Sequence, residues 1–328
     1  MERRALGRTG IEVSALGFGC GDVGGLIVRG APAERVRAVA RAVELGVNYF
    51  DTATSYGSGV SEQHLGGVLR ELRPDVHVGT KVRLGPEDLS DIRGAVTRSL
   101  EASLGRLGLP RVDLLQLHNM IGPTSSGSTV GVRQVLDEVI PALQQLQQQG
   151  KLRFFGITAN GDPDSIHQVV DAGAIHTTQV FYNLLNPSAG GHPLGSLPGV
   201  DFKGLLPLAK RKGVGTIGVR VLAAGALSGA REKHPIAMPS VSPIASGASY
   251  DADVRAAAVI GKLVKDGFVG SMVEAAYRFV ISHNGISTAL VGASTLDHLE
   301  QAAAAVNKGP LPAAALTRLT ELWAEVRG

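Results

Sequence analysis

The sequence is poor in cysteine, in aromatic residues and in long apolar runs. Its single cysteine, Cys20, excludes an internal disulfide and is typical of proteins in reducing compartments. No uncharged apolar run reaches the roughly 18 residues that a membrane-spanning helix needs. The amino end, residues 1–8, carries charges but lacks the apolar segment of a secretory signal. These absences predict a cytoplasmic protein without a membrane-inserted segment.

The charge of the chain is nearly balanced. Its 32 basic and 29 acidic residues give a formal net charge of +3, and no basic cluster is interleaved with aromatic residues. Nucleic acid is therefore not an expected partner. Aromatic residues make up 4% of the chain, and the one tryptophan, Trp323, lies in the C-terminal tail, so a pocket that stacks flat apolar substrates is not expected. We predict no metal site, and the composition indicates neither a monomer nor an oligomer.

Short apolar strands alternate with helical patterns along most of the chain. Strands are predicted at residues 14–18, 47–51, 76–81, 112–118, 153–158, 177–181, 214–219 and 286–291. Helices are predicted at residues 32–45, 61–72, 86–107, 132–149, 163–172, 202–212 and 271–283. Alternation of this kind favours parallel strands joined by crossover helices. The repeat of eight strands predicts an α/β fold, a closed (β/α)8 TIM barrel.

Two kinds of segment lie outside this alternation. Extended pieces on both sides of residues 7–10 predict an N-terminal β-hairpin. Long segments rich in Gly, Ser and Pro follow strands 4, 6 and 7, at about residues 119–131, 183–201 and 221–250, and are the expected substrate loops. No linker divides the chain, which predicts one domain over residues 1–328. A doubly wound open sheet is the structural alternative, but no glycine-rich fingerprint of the required spacing follows the first strand.

Charged and polar side chains stand at the ends of three predicted strands. Asp51, Lys81 and His118 each close an apolar run, and Tyr56 follows Asp51 by five residues. Because the carboxyl ends of barrel strands share one open mouth, we expect these side chains to meet there. An ammonium at the end of an apolar strand needs a partner, because burying it unpaired is costly. The grouping resembles the Asp/Tyr/Lys/His tetrad of the aldo-keto reductase family.

This resemblance implies a nicotinamide-dependent oxidoreductase acting on a small-molecule carbonyl substrate or the corresponding alcohol. In that chemistry Tyr56 is the general acid or base. Lys81 lowers the pKa of the tyrosine, because a nearby cation favours the phenolate. Asp51 pairs with Lys81 and holds it, and His118 donates a hydrogen bond to the carbonyl oxygen.

Further segments extend the resemblance over nearly the whole chain. Residues 57–62 are similar to the family's opening of the second helix, residues 148–158 to its Gly-Lys-x-Arg turn and fifth strand, and residues 179–183 to the end of its sixth strand. Residues 291–300 are similar to its last strand and phosphate-gripping loop, where a helix amino end can bind an anion. The resemblance implies cofactor contacts from Gly19, Cys20, Gly21, Thr158, Gln179, Arg220, Gly292, Ala293, Ser294 and His298.

The chain departs from the family pattern in the cofactor region. Val219 and Arg220 stand where the family commonly stacks an aromatic ring on the nicotinamide. Thr295 and His298 stand where the family often has basic residues that grip the adenosine phosphate. NADP(H) is therefore favoured as the cofactor, and NAD(H) is not excluded.

The expected substrate is polar. Arg83 follows Lys81 by two residues and Asn119 follows His118 directly, so both are expected to point polar groups toward the mouth. Hydroxylated or charged substrates, such as sugars, sugar lactones or pyridoxal-like aldehydes, are favoured over steroids. Two alternatives stay open: a lyase that forms a Schiff base through Lys81, and a catalytically weak cofactor-binding redox sensor.

Overall fold

The predicted strands close into a parallel barrel in the computed structural model, which describes residues 1–194, 197–230 and 232–327. The barrel strands are Leu16–Gly19, Tyr49–Asp51, His77–Val82, Val112–Leu117, Leu152–Thr158, Thr177–Phe181, Gly215–Val219 and Thr288–Gly292. Each strand pairs with the next one along the chain, and the eighth closes the barrel by pairing with the first. The (β/α)8 barrel predicted from the sequence is confirmed. Residues 195, 196 and 231, within two predicted substrate loops, and residue 328 lie outside the described residues.

The helices predicted between the strands are present, with shifted ends. They are Pro32–Glu44, Val60–Leu72, Ile92–Leu107, Ile140–Gln148, Pro163–Asp171, Leu205–Arg211 and Met272–Ser282. The helix predicted from residue 86 begins instead at Ile92, because Asp91 caps it by accepting a hydrogen bond from the Gly94 amide. The helix predicted over residues 132–149 contains a π-helical turn, Val135–Val139, just before Pro141, whose missing N–H cannot extend the regular ladder.

Five further α-helices among the described residues were not predicted. They are Leu26–Arg29, Tyr250–Ile260, Lys262–Lys265, Leu296–Asn307 and Ala313–Arg327. The last of these docks against the loop after the sixth strand, where the indole of Trp323 donates a hydrogen bond to the carbonyl of Leu184 at 2.8 Å. The loop after the fourth strand carries two short paired strands, Met120–Gly122 and Thr129–Gly131. Within the described part of the chain, no helix is long and apolar enough to cross a membrane.

The predicted N-terminal hairpin closes one end of the barrel. Its strands, Arg3–Ala5 and Glu12–Ser14, pair in antiparallel register. Hairpin side chains pack with inward-facing barrel residues in one buried cluster, whose members are Leu6, Ile11, Val13, Tyr49, Leu114 and Ile217. The amino-terminal end of the barrel is thus filled with apolar side chains, and the opposite end is left for polar chemistry.

Truncation of the barrel core should destabilise the whole protein. Ile217 is fully buried within the barrel cluster, so Ile217→Ala should lower the free energy of unfolding by about 2–5 kcal/mol. The measurement is the urea midpoint of unfolding. The matched control is Val254→Ala, which trims an exposed β-branched residue and should change stability by less than about 0.5 kcal/mol. Equal shifts in the two variants would contradict this description of the core.

Candidate active site

The four side chains singled out at strand ends meet at the carboxyl end of the barrel. Asp51 is the last residue of the second strand and Lys81 lies one residue from the end of the third. His118 directly follows the fourth strand, and Tyr56 begins a single helical turn in the loop after Asp51. Alternation along the strands explains the inward placement of Asp51, because it shares a face with Tyr49 in the barrel cluster. The shared mouth of parallel strands therefore brings together residues far apart in the chain.

Lys81 is the centre of this group. Its side chain is completely buried, and its ammonium donates three hydrogen bonds, to Asp51 Oδ1 at 2.5 Å, to the Thr52 carbonyl at 2.8 Å and to the Tyr56 hydroxyl at 3.1 Å. These contacts account for all the donors of a lysine ammonium. Burial alone would lower the pKa of Lys81, but Asp51 and Tyr56 raise it, and the net direction is upward. Lys81 therefore carries its charge inside the barrel.

Asp51 is held by more than its lysine partner. Its second oxygen, Oδ2, accepts hydrogen bonds from the Tyr49 hydroxyl at 3.1 Å and from Gln179 Nε2 at 2.7 Å. The carboxylate is 2% exposed and has a donor on each oxygen, which is what a buried charge requires. Gln179, predicted as a nicotinamide contact, thus donates one amide N–H to Asp51, which leaves its second N–H and its side-chain carbonyl oxygen for a ligand.

The pKa of the Tyr56 phenol moves opposite to the sequence-based expectation. Burial raises this pKa, Lys81 and Arg220 lower it, Asp51 adds to the increase, and the net direction is upward. The Lys81 cation alone would lower this pKa, but burial also removes water from around the phenol, which has the opposite effect. Lys81 and Arg220 oppose that effect without overcoming it, so Tyr56 is a protonated acid near neutral pH.

His118 lies beside Tyr56 and is neutral. The two ring centres are 6.0 Å apart with the ring planes nearly perpendicular. Burial lowers the pKa of His118 to about 3, and the charges of Lys81 and Arg83 contribute to the decrease. A neutral imidazole has one N–H, so His118 can donate one hydrogen bond without adding a charge.

The loop that carries Tyr56 is fixed by two hydrogen bonds to the segment after the first strand. The Gly57 amide donates to Asp22 Oδ2 at 3.1 Å, and both Gly57 and Ser58 have left-handed backbone angles. The Ser61 hydroxyl donates to the Cys20 carbonyl at 2.8 Å. Sequence analysis missed Asp22 as a support of this loop, and the only available signal was its place in the glycine-rich run after the first strand.

Glu62 ties the helix after Tyr56 to the strand that carries Lys81. It is fully buried and accepts hydrogen bonds from the Thr80 hydroxyl at 2.5 Å and from Arg106 Nε at 2.6 Å. A buried carboxylate with two strong donors, one of them charged, resists displacement. The neighbours of Tyr56 and Lys81 are therefore rigidly joined.

Several residues predicted to contact the cofactor fit a bound nicotinamide. The Thr158 hydroxyl, at the end of the fifth strand, is buried and has no hydrogen-bond partner among the described residues, so it can bond a carboxamide. At Gly292, the last residue of the eighth strand, no atom of the described residues lies within 4 Å of where a Cβ would be, so there is open space for a ligand. Gly21 lies directly beside the Tyr56 ring, because a Cβ added at Gly21 would be 3.4 Å from that ring.

Cys20 forms part of the wall beside Gly19 and Gly21. Its side chain is 1% exposed. Burial raises the pKa of its thiol, and Asp51 raises it further while Lys81 opposes. The thiol is therefore protonated and unreactive, which agrees with a wall residue.

The residues predicted around the adenosine phosphate are partly engaged with one another. Ser294 donates its hydroxyl to the Gly24 carbonyl at 2.6 Å and its amide to His298 Nδ1 at 3.3 Å, and the carbonyl of Ala293 accepts the Leu26 amide. Burial lowers the pKa of His298, nearby His234 lowers it further, and Asp297 opposes. His298 is thus a weaker cation than its sequence position suggested.

The two residues predicted to contact substrate differ in availability. Asn119 is 1% exposed, accepts a hydrogen bond from the Leu84 amide and donates to the carbonyls of Leu84 and Ser128. The oxygen and the nitrogen of this side-chain amide are bonded to backbone groups of two loops, which Asn119 ties together. Asn119 therefore has no polar side-chain atom free for the predicted substrate contact. Arg83 is exposed, and its charge acts on His118.

Arg220 replaces the expected aromatic ring with a charge. It follows the seventh strand, and its charge acts on Tyr56. Burial lowers the pKa of Arg220, and Tyr56 opposes that decrease. The guanidinium nevertheless stays charged, because an unperturbed arginine titrates far above neutral pH.

Comparison with known proteins gives a consistent result. The model of the aldo/keto reductase family matches residues 15–324. The chain is 35% identical to L-galactose dehydrogenase of Arabidopsis thaliana, over 94% of this chain and 89% of that protein. It is 28% identical to pyridoxal 4-dehydrogenase of Microbacterium luteolum, over 92% and 91% of the two chains. An aldo-keto reductase from Bacillus halodurans, solved in its holo form, superposes with a TM-score of 0.72 at 26% identity, covering 98% of this chain and 96% of that one.

Proposed function

The chain belongs to the aldo/keto reductase family and is an oxidoreductase, and from this premise we propose that it interconverts a small polar aldehyde or ketone, or a sugar of the aldose or lactone type, and the corresponding alcohol. The observation that carries the proposal is the hydrogen-bonded chain from Asp51 through Lys81 to the Tyr56 hydroxyl. It joins a phenolic acid to a permanent positive charge at the mouth of a barrel.

Each residue has a distinct role in the proposed reaction. A bound nicotinamide supplies the hydride in reduction and accepts it in oxidation. In reduction Tyr56 gives its proton to the substrate oxygen as negative charge develops there, and in oxidation the phenolate takes that proton back. Lys81 stabilises the phenolate, Asp51 fixes Lys81, and the neutral ring of His118 donates its N–H to the substrate oxygen.

The environment of Lys81 argues against a Schiff-base lyase. A Schiff base needs an unprotonated amine that can reach the substrate carbon. Lys81 is fully buried, its pKa is raised by Asp51 and Tyr56, and its donors are all in hydrogen bonds. Its ammonium is therefore neither deprotonated nor exposed, and the oxidoreductase role is the better fit.

Polar substrates are supported by two considerations. The mouth presents Tyr56, His118, Arg83 and Arg220 rather than a wall of aromatic rings. Two relatives carry names that refer to polar substrates, L-galactose and pyridoxal. We propose that this chain takes substrates of comparable polarity, as one domain spanning residues 1–328 in a reducing compartment such as the cytoplasm.

For the cofactor, we propose that NADP(H) is favoured over NAD(H). His298 is the proposed partner of the 2′-phosphate. With Nδ1 accepting the Ser294 amide, its other ring nitrogen is left as the donor. Gly292, Ser294 and Thr158 complete the proposed cofactor contacts.

Removal of the proposed acid should abolish most turnover. Tyr56→Phe keeps the ring and deletes the hydroxyl, so kcat should fall by about 10²- to 10⁴-fold. The measurement is steady-state reduction of a panel of aldehydes and sugars. The dissociation constant for NADPH, followed by fluorescence, should change by less than about threefold because the ring remains.

The matched control is Tyr277→Phe, which deletes a hydroxyl from a buried tyrosine in the helix Met272–Ser282. It should leave kcat near the wild-type value. If Tyr56→Phe turns over within threefold of wild type, the acid is another group. A wild-type protein that binds NADPH tightly but reduces no carbonyl compound would instead support the redox-sensor alternative.

Cofactor choice should depend on pH through His298. Because the pKa of His298 is lowered, the imidazolium forms only at acidic pH, so the preference for NADPH over NADH should be flat from pH 8 to 7 and should rise below pH 6. His298→Arg should give a constant NADPH preference, because a guanidinium stays charged and can bond phosphate through two donors. The measurement is the ratio of kcat/KM for the two reduced cofactors at constant ionic strength. A wild-type ratio that is unchanged from pH 8 to pH 5 would exclude His298 as the phosphate partner.

A further inference from the structure

The segment after the seventh strand holds its backbone in an unfavourable conformation. Arg220, Ala223 and Ala224 have φ values of 57°, 45° and 58°, in the left-handed region that residues with a Cβ rarely adopt. The carbonyl of Arg220 accepts a hydrogen bond from the buried amide of Asn183 at 3.0 Å. Backbone strain of this kind persists where the surrounding structure holds it, often at ligand sites. At Arg220 the left-handed backbone sets the direction in which the side chain leaves the end of the seventh strand.

The guanidinium of Arg220 makes no hydrogen bond and no ion pair with any residue that the structure describes, although the side chain is half-buried. Two other partly buried arginines are paired, Arg106 with Glu62 and Arg278 with Glu274, whereas Nη1 of Arg35, in the helix Pro32–Glu44, has no hydrogen-bond partner among the described residues. A buried charge without a partner is costly. Arg220 acts on Tyr56 at the mouth of the barrel, so its donors are available there to a ligand.

The mouth of the barrel carries an excess of positive charge. Asp51 and Lys81 form an ion pair that is neutral as a unit, and His118 is uncharged at neutral pH because its pKa is about 3. The remaining charged groups that act on Tyr56 or His118 are Arg220 and Arg83. A negatively charged group on the substrate would thus be attracted to the mouth from solution.

From these observations we propose that Arg220 recognises an oxyanion, a carboxylate or a phosphate, carried by the carbonyl substrate itself. The inference rests on the proposed oxidoreductase function and narrows its substrate class. A guanidinium presents two parallel N–H donors that match both kinds of oxyanion. Bound in this way, the oxyanion orients the carbonyl group toward Tyr56 and His118, so Arg220 acts as a specificity residue and takes no part in proton transfer.

The test compares matched pairs of substrates that differ in one anionic group. Succinic semialdehyde is paired with 4-hydroxybutanal, and glyceraldehyde 3-phosphate with glyceraldehyde, so the two pairs separate carboxylate from phosphate recognition. Wild-type kcat/KM should be higher for the anionic member of at least one pair. Arg220→Met, which keeps the length of the side chain and removes its charge, should lower kcat/KM for that member by about 10- to 100-fold, mainly through KM.

Controls separate this role from charge and cofactor effects. Any loss that Arg220→Met causes through the pKa of Tyr56 is common to both members of a pair, so the readout is the ratio of the two losses, which should be about 10-fold or more against the anionic member. Arg220→Lys should give an intermediate loss for the anionic member because it keeps a point charge without the two-donor fork. Arg98→Met removes an exposed arginine that is paired with Asp91 on a surface helix and should leave both substrates unaffected. The dissociation constant for NADPH is measured in every variant.

The outcomes distinguish this inference from the function on which it rests. A wild-type protein that reduces neutral carbonyls but prefers neither anionic member would overturn the oxyanion role and leave the oxidoreductase function intact. Equal losses for both members of a pair together with weakened NADPH binding would assign Arg220 to the cofactor and also overturn the proposal. Failure of wild type to reduce any carbonyl compound would refute the proposed function.

Discussion

The ion pair between Lys81 and Asp51 is the constraint on which the site depends. Both side chains are buried at the end of the barrel, and a buried charge that loses its partner destabilises a protein by about 3–5 kcal/mol. The pair is tolerated because every donor of Lys81 is used and both oxygens of Asp51 are bonded. The Tyr56 hydroxyl is one of those partners, so the requirement to satisfy a buried ammonium also places the acid.

The barrel supplies the rigidity that this arrangement needs. Parallel strands deliver residues from three successive repeats to one mouth, and the N-terminal hairpin fills the other end with apolar side chains. Two loops at the mouth contain residues with a Cβ in the left-handed backbone region, Ser58 in one and Arg220, Ala223 and Ala224 in the other. The first of these loops also carries Tyr56. Stable packing at the closed end thus coexists with strained, polar loops at the open end.

The catalytic grouping could be predicted because it follows from local pattern. Asp51, Lys81 and His118 each end an apolar run, and parallel topology brings such ends together. The hydrogen bond between Gln179 and Asp51 could not be predicted, because the two residues are 128 positions apart in the chain. The backbone partners of Asn119 could not be predicted either, and the substrate contact predicted for it depended only on its position next to His118. The direction of the Tyr56 pKa depends on burial, which no local pattern encodes. Alanine-rich helices such as Leu296–Asn307 lack the large apolar stripe by which amphipathic helices are recognised.

The most direct test of the role of the ion pair is the pH profile of alcohol oxidation in Asp51→Asn/Lys81→Met. Removing both charges together leaves neither partner buried and unpaired, so the variant should fold. The ascending limb of kcat/KM, on which activity rises with pH, should report ionisation of Tyr56, because the phenolate is the form that accepts the proton in oxidation. Our account predicts that this limb moves to higher pH in the double variant, because the phenolate loses the ammonium that stabilises it, and that turnover falls at every pH. A limb that stays at its wild-type position would show that Lys81 does not act on Tyr56 and would contradict the account.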